Sequence, residues 1–291
     1  MPPWRRPQKT WAQREDKVDP VTWRFEDEGD EGALRDRTRA ERYVSSGEEE
    51  ISRVNLALLL RRPLLVRGVP GLGKSTLAYH IAWRLGLGRP FRWEIHSNAT
   101  LQEGLYSYDA VGHFHEGREA PIEDHIRLGP LGTALAPTER PACVLIDELD
   151  KASYDLPNDL LHAFEEGAFR IPELKQRDAV VDAVDGRRVS VRHGEIRCHH
   201  HPVVVITSND EREFSPAFLR RCVELRLQLP GPEQIRQIID RWFGGPDGLE
   251  EVLTNLGGQP TDRLLQALFL TRIHETPLEE IARSVVEGKA E

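Results

Sequence analysis

Long hydrophobic runs are missing from this 291-residue sequence. Its mean hydropathy is −0.50, and no unbroken apolar stretch approaches the roughly 20 residues that a membrane helix needs. The longest apolar stretches, at 56–60 and 203–206, suit a core helix and a buried strand. Residues 1–13 are basic, but no apolar stretch follows them, so they do not resemble a secretion signal. We therefore expect no membrane partner and a cytoplasmic location.

Cysteine and excess positive charge are also scarce. The three cysteines, Cys143, Cys198 and Cys222, lack metal-ligand spacing, and their low, odd number suits a reducing compartment. We predict that they are packed or free thiols. The formal net charge is −9, whereas a nucleic-acid binder without sequence preference normally carries a basic excess. This charge argues against nucleic acid as a partner.

The apolar residues that are present predict alternating strands and helices. Ser46 and Glu49 have capping-box spacing, so a helix is expected to begin there and to end near Arg61. The segments 142–146 and 203–206 are continuously apolar, which is typical of parallel strands covered on both faces, whereas 91–96 alternates. The pattern predicts a three-layer α/β/α fold, with strands at 64–66, 91–96, 142–146, 203–206 and 223–227 and further helices at 73–85 and 156–169.

Three regions lie outside this core, which we place at 43–230. Residues 1–42 are polar and mixed in charge, and they predict either an irregular extension strapped across the core or a disordered tail. An insertion at about 171–202 contains a β-hairpin pattern, 179–184 and 188–191, around the turn Asp185-Gly186. Residues 231–291, here called the lid, predict a small helical domain with helices at 233–243, 249–256, 262–270 and 278–286.

A phosphate-binding loop follows the first strand and opens a helix. The segment matches G-x-x-x-x-G-K-[ST], and its glycines allow several backbone N–H groups to point at one anion. The lysine adds positive charge on the same phosphate oxygens, and the serine hydroxyl can ligate Mg²⁺. The alternative is a chance glycine-rich turn. The predicted nucleotide-binding residues are Gly68, Val69, Pro70, Gly71, Leu72, Gly73, Lys74, Ser75 and Thr76.

Two acids end the buried strand at 142–146. In this fold ligands lie at the carboxyl ends of the strands, which places Asp147 beside the phosphates as a Mg²⁺ ligand, usually through water. The adjacent Glu148 is predicted to orient or deprotonate the attacking water. Alternatively, both are solvated charges at a strand end. Asp150 and Lys151 are interpreted as structural.

Polar and basic residues follow the remaining strands. Asn209 ends the strand at 203–206 and can hydrogen-bond the lytic water and the γ-phosphate, although asparagine is also common in turns. An arginine can stabilise the transferring phosphoryl group, and Arg221, then Arg220, are candidates; a surface ion pair is the other interpretation. Arg263 at a lid helix can reach the γ-phosphate or simply lie on the helix surface.

The order of these motifs resembles the AAA+ ATPases and, within them, the MoxR family. The resemblance covers about 43–270 and is carried by the segments 55–60, 63–65, 147–152, 157–161, 207–209 and 214–222. It implies ATP and Mg²⁺ as cofactors, a sheet of order 5-1-4-3-2, a hexameric ring, and insertions near 99–126 and at the hairpin that face a pore or partner. It also implies chaperone-like remodelling of a client, often a von Willebrand factor A domain protein. The family's lid arginine corresponds to Arg263.

Two other functions and one metal site are alternatives. A regulatory switch in a bacterial defence or signalling system would use slow ATP turnover to control a partner. A DNA-remodelling motor is the third reading, which the net charge of −9 disfavours. The run of three histidines at 199–201 suggests a metal site, but adjacent strand residues alternate in direction and cannot all face one ion. We interpret it as a polar stretch.

Overall fold

The computed structural model describes residues 31–117, 120–245 and 258–274. The predicted helices at 249–256 and 278–286, and residues 1–30 of the predicted extension, lie outside the described residues. Within the described ranges the longer helices are α1 (Glu31–Arg42), α2 (Glu48–Leu60), α3 (Lys74–Leu85), α7 (Leu156–Glu166), α9 (Pro232–Phe243) and α10 (Thr261–His274). Shorter helices are α4 (Leu101–Leu105), α5 (Ala110–Glu116), α6 (Pro130–Ala134) and α8 (Pro216–Leu219).

A five-stranded parallel sheet forms the centre of the fold. Its strands are β1 (Leu64–Arg67), β2 (Phe91–Glu94), β5 (Cys143–Asp147), β10 (Val203–Ser208) and β11 (Val223–Arg226). They are arranged β11-β1-β10-β5-β2, which is the order 5-1-4-3-2 when the strands of this sheet are counted along the chain. The predicted strand order is confirmed. The carboxyl ends of β1, β10 and β5 therefore lie side by side at one edge.

Helices cover both faces of this sheet, which confirms the three-layer fold. Along β1 the side chains alternate, so that Leu65 packs in one apolar cluster while Leu64 and Val66 pack in the other. The first cluster includes residues of α6, α7 and α8, and the second includes residues of α2 and α3. A third cluster, built on Ile238 and Leu264, joins α9 to α10. The predicted helices at 233–243 and 262–270 are thus confirmed.

The start of α2 differs from the prediction. Its N-cap is Gly47, which provides no side-chain cap, so the capping box of Ser46 and Glu49 is wrong. The backbone N–H and hydroxyl of Ser46 instead donate to Glu50 Oε2 at 3.0 and 2.8 Å. Glu50 is fully buried and also accepts a hydrogen bond of 2.9 Å from the Tyr43 hydroxyl. Glu50, and not Glu49, accepts the hydrogen bonds from Ser46, because Glu50 is the residue that faces the interior.

The end of α7 also differs from the prediction. The helix stops at Glu166, because Gly167 adopts a left-handed conformation with φ 59°. Phe169, predicted to be helical, instead lies in strand β6 (Ala168–Arg170), which pairs antiparallel with β9 (Glu195–Arg197). The apolar Phe169 satisfies a helical pattern and a strand pattern equally well, so periodicity alone could not place this boundary.

Residues 31–42 form helix α1 and are neither irregular nor disordered, so this part of the prediction is wrong. Helix α1 packs on α3, where the ring nitrogen Nδ1 of His80 lies 2.7 Å from the Ala40 carbonyl oxygen. Burial lowers the pKa of His80 to about 4, against the opposing effect of that hydrogen bond. The ring is therefore neutral near pH 7 and donates through Nδ1. The buried face of α1 includes Ala33 and Ala40, which are too small to give a visible apolar pattern.

The predicted hairpin is confirmed as β7 (Ala179–Asp182) and β8 (Arg188–Val191). It belongs to a second sheet with β3 (Tyr106–Tyr108) and β4 (Ile126–Leu128), in the order β3-β4-β7-β8. The segment near 99–126 and the hairpin segment, far apart in sequence, therefore form one structural unit. Among the described residues, no helix is both long and apolar enough to cross a bilayer.

Phe218 is expected to be the most sensitive core position, because it is the largest fully buried side chain among the described residues. It is fully buried, and its ring lies 5.1 Å from that of Phe214. Phe218→Ala should lower the free energy of unfolding by about 3–5 kcal/mol, since it removes a large buried ring and leaves a cavity. Urea denaturation measures this change. Phe114→Ala is the matched control, because that ring is 82% exposed; equal losses in both variants would contradict the prediction.

Candidate functional site

The phosphate-binding loop lies between β1 and α3, as the sequence predicts. The loop contains three glycines with positive φ values, namely 146° at Gly68, 83° at Gly71 and 83° at Gly73. Glycine adopts such angles readily, and they allow the loop to curl. A Cβ at Gly68 would lie 2.7 Å from the carbonyl oxygen of Leu227. The first helical hydrogen bond of α3 joins Leu77 N–H to Gly73 O. The amides before it have no helical acceptor and are available to an anion.

Lys74 extends its ammonium group across the loop. Nζ donates to the carbonyl oxygens of Gly68 and Val69 at 2.8 and 2.9 Å and to Asn209 Oδ1 at 2.7 Å. Burial lowers the pKa of Lys74, while the negative charges of Asp150 and Asp147 oppose that effect. The ammonium thus links the loop to the end of β10, where phosphate oxygens would offer it stronger, charged acceptors.

Asp147 is buried and its two oxygens are bound separately. Oδ1 accepts hydrogen bonds from Ser75 Oγ and Thr207 Oγ1, both at 2.7 Å. Oδ2 accepts from Arg92 Nε and Nη2 at 3.0 and 2.8 Å. Burial alone would raise the pKa of Asp147, but the hydrogen bonds from Ser75, Thr207 and Arg92 outweigh it and lower the pKa. The oxygens of Ser75 and Asp147 therefore lie together, and hard oxygen ligands of this kind fit Mg²⁺.

Glu148 has an uncommon backbone conformation, with φ 61°. Its N–H donates to Thr207 Oγ1 at 2.8 Å. Its carboxylate accepts one hydrogen bond from Lys151 Nζ, at 2.5 Å, and one from Asn209 Nδ2, at 3.2 Å. The hydrogen bond from Lys151 is the main cause that lowers the pKa of Glu148. The carboxylate is therefore ionised near neutral pH.

Asn209 occupies the centre of this arrangement. Its side-chain amide accepts from Lys74 through Oδ1 and donates to Glu148 through Nδ2, an orientation assigned from this hydrogen-bond network. The backbone N–H groups of Asn209 and Glu211 both donate to Asp150 Oδ2, at 2.8 and 3.0 Å. Asp150 is thus a buried acceptor that holds the loop after β10, in line with the structural interpretation of this residue.

The two candidate finger arginines do not line the cavity of their own chain. Arg221 donates through Nε to Glu165, and its Nη1 lies 3.4 Å from the Ala217 carbonyl oxygen. Arg220 is exposed, and its carbonyl oxygen accepts from Arg62 Nη1 at 3.2 Å. Both side chains therefore lie at the surface on the α8 segment.

Arg263 also lies outside the cavity. Its Nη1 donates to Gln259 Oε1 at 3.4 Å. The neighbouring Asp262 lines the cavity instead, and its N–H donates to the Gly71 carbonyl oxygen at 3.1 Å. The contact of Arg263 with a γ-phosphate stays a prediction, which this arrangement of the lid does not display.

A cavity of about 360 Å³ extends from Lys74, Asp147, Glu148 and Asn209 to the lid. This volume is within the range of small-molecule sites. Its far end is formed by residues that the sequence analysis did not single out. Arg241 Nη1 and Gln234 Nε2 of α9 donate to the carbonyl oxygens of Tyr43 and Val44, at 3.1 and 3.4 Å. The apolar lining at this end includes Tyr43, Val44, Ile238, Trp242 and Leu265.

The cysteines and the histidine run lie apart from the cavity. Burial raises the pKa of Cys143 and of Cys222 to about 12, so both remain protonated thiols. Among the described residues, no group of three or more histidine, cysteine, aspartate and glutamate side chains is arranged to hold a metal ion. The oxygen pair of Asp147 and Ser75 is therefore the cation site considered below.

Comparison with known families decides the class of this protein. The family model for the AAA domain (dynein-related subfamily) matches residues 63–222. The chain belongs to this family. The matched part of the AAA domain contains the phosphate-binding loop, both acids at the end of β5, Asn209 and both candidate finger arginines. Membership indicates a nucleotide-hydrolysing ATPase.

Solved structures that resemble this AAA domain are distant in sequence. A RuvB mutant from Thermotoga maritima is 17% identical, with 86% of this chain and 72% of that chain covered and a TM-score of 0.46. The T. maritima RuvB Holliday junction branch migration motor is 17% identical over 81% and 67%, with a TM-score of 0.44. A Cytophaga hutchinsonii protein, named provisionally as an ATPase, is 12% identical over 86% and 62%, with a TM-score of 0.43.

Proposed function

We propose that this AAA domain binds and hydrolyses MgATP, and that it works as a ring of MoxR type that remodels a partner protein. One observation carries the proposal. The hydrogen-bonded series from Lys74 through Asn209 to Glu148 runs along the cavity, beside the oxygen pair of Ser75 and Asp147. This series supports the proposal, because phosphoryl transfer to water needs a cation at the phosphates and side chains that position the attacking water.

Each residue has a defined task in this proposal. The loop amides and Lys74 bind the phosphates, and Ser75 and Asp147 hold Mg²⁺, which supplies charge neutralisation at the phosphates when bound. Glu148 accepts the proton of the attacking water. Asn209 already donates to Glu148, so it can orient the carboxylate and contact the γ-phosphate at the same time.

The position of the candidate finger arginines supports oligomerisation. Arg221 is exposed and does not line its own cavity, which suits a side chain that completes the site of a neighbouring subunit. Such a shared site requires an oligomer. The MoxR type and a client such as a von Willebrand factor A domain protein are supported by the motif resemblance, and a hexamer is the ring size it favours.

A regulatory switch is the second candidate function, and one contact favours it. Lys151 Nζ lies 2.5 Å from Glu148 Oε2, so the proton acceptor is engaged by a cation. Because this ion pair must loosen before the carboxylate takes a proton, it would slow turnover. Slow hydrolysis, with partner binding set by ATP or ADP, would distinguish the switch from a remodeller that turns over continuously.

Nucleotide binding tests the proposal most directly. Lys74→Ala should weaken MgATP binding by about ten- to hundredfold, the loss typical of hydrogen bonds from a charged group. Isothermal titration calorimetry measures the change, with Arg53→Ala as a control that removes an exposed cation of α2. The proposal fails if the wild-type protein does not bind adenine nucleotides with magnesium, or if Lys74→Ala binds MgATP as the wild type does.

A further inference from the structure

Helix α1 brings an arginine to the cavity that the proposed function does not use. Arg39 lines the cavity, and its Nη2 lies 3.3 Å from Thr76 Oγ1. Its guanidinium carbon lies 5.4 Å from the centroid of the Tyr79 ring, a distance at which cation–π attraction operates. Because Thr76 and Tyr79 lie one turn apart on α3, Arg39 lies along the first turn of the helix that follows the phosphate loop.

The position of Thr76 indicates which phosphate this arginine would meet. Thr76 is the third residue of α3, so its amide is one of those without a helical acceptor. At the other end of the site, Lys74 contacts Asn209 and hence the proton acceptor Glu148. The hydrolysed γ-phosphate belongs at that end. The phosphate beside Thr76 is then the one attached to the nucleoside, whose base would lie in the apolar end of the cavity.

We propose that Arg39 binds the α-phosphate of the nucleotide, so that helix α1 is part of the binding site. This inference rests on the proposed function. Arginine suits the task because its planar group donates several hydrogen bonds to phosphate oxygens while it stacks on an aromatic ring. The contact would be made with ATP, ADP and AMP alike, since all three carry an α-phosphate.

Helix α1 is held firmly enough to present this side chain. Ala40, next to Arg39, is fully buried, and its carbonyl oxygen contacts His80. Asp36, one turn earlier, is buried and pairs with Arg89 at 2.7 Å. Arg39 also lies 3.8 Å from Asp36. The guanidinium is thus positioned before any nucleotide arrives, which lowers the conformational cost of binding.

The same helix contains a matched control. Arg37 pairs with Glu41 at 2.7 Å along the surface of α1 and does not line the cavity. Replacing either arginine by glutamine removes one positive charge from α1. Only Arg39→Gln removes a group beside Thr76, so a difference between the two variants reports the contact and not the net charge of the helix.

The test compares adenosine, AMP, ADP and ATP as competitors of a fluorescent ADP analogue. Arg39→Gln should weaken the binding of AMP, ADP and ATP by a similar factor, about ten- to hundredfold. The affinity for adenosine should not change. Arg39→Lys should recover part of the loss, and Arg37→Gln should match the wild type. As a second readout, the ³¹P resonance of the α-phosphorus of bound ADP should shift in Arg39→Gln, whereas the β-phosphorus resonance should not.

Three results would overturn this inference. Unchanged affinity of Arg39→Gln for all three phosphorylated ligands would show that Arg39 does not bind the α-phosphate. An equal loss for adenosine, with no selective ³¹P shift, would assign Arg39 a role in holding α1 and not in binding phosphate. An equal loss of affinity in Arg37→Gln would show that the effect comes from the net charge of α1 and not from a contact of Arg39. If the wild-type protein binds none of the nucleotides, the proposed function itself fails, which is a separate outcome.

Discussion

Replacing Glu148 by glutamine should reduce ATP turnover by about 100- to 10,000-fold, the range of general-base catalysis, and leave MgATP binding nearly intact. Glutamine has almost the same shape and can still accept from Asn209 Nδ2 through its amide oxygen, but it cannot take a proton from water. The phosphates are bound by other groups, Lys74 and the loop amides, so affinity should not follow turnover.

Single-turnover hydrolysis and calorimetric binding, measured on the same preparation, separate these effects. Glu139→Gln is a suitable control, because Glu139 is exposed and does not line the cavity. Wild-type turnover in Glu148→Gln would remove Glu148 as the proton acceptor. The same variant, held in its ATP-bound state, is also the best reagent for isolating the client, since a remodeller keeps its partner until hydrolysis.

Arg221→Ala should lower turnover even further, by about 1,000- to 100,000-fold if Arg221 acts as an arginine finger. Its charge would stabilise the transferring phosphoryl group of a neighbouring subunit, and the adjacent Arg220 is the other candidate for that role. Nucleotide affinity should change little, since Arg221 does not line its own cavity. Turnover of the wild type should rise with protein concentration as rings form.

Mixing variants distinguishes a shared site from an internal one. A Lys74→Ala subunit still carries Arg221, so adding it to Arg221→Ala should restore part of the activity at shared interfaces. Arg220→Ala, measured alongside, shows which of the two arginines is the finger, and Arg236→Ala is the control, being an exposed arginine of α9. Full activity in both Arg220→Ala and Arg221→Ala would contradict a finger on this segment.

The parallel sheet was predictable because the strands at 142–146 and 203–206 are continuous apolar runs, which are typical of parallel strands covered on both faces. The strand order came from the family resemblance and not from the strands themselves. Helix α1 was missed because its buried face includes alanines, whose small side chains do not stand out among charged neighbours. The start of α2 was misassigned because Glu49 and Glu50 differ only in which of them faces the interior.

Some residues of the site could be identified from the sequence, and others only from the structure. Lys74, Ser75, Asp147 and Glu148 lie in local motifs, so their chemistry can be read from neighbouring residues. The partners of these residues come from distant segments: Arg92 on β2 contacts Asp147, and Thr207 on β10 contacts both acids. Nothing in the sequence around Arg92 marks it, because tertiary packing alone creates its contact, whereas Thr207 lies in the segment 207–209 of the family resemblance but had no predicted role.

The left-handed backbone at Glu148 places a cost on the folded chain at the point where catalysis is proposed. A residue with a side chain loses about 1–2 kcal/mol in this conformation, a loss that glycine would largely avoid. The chain nevertheless carries a carboxylate there, held by the hydrogen bond from its N–H to Thr207. Under the proposed function, thermostability and turnover therefore place opposite demands on this position.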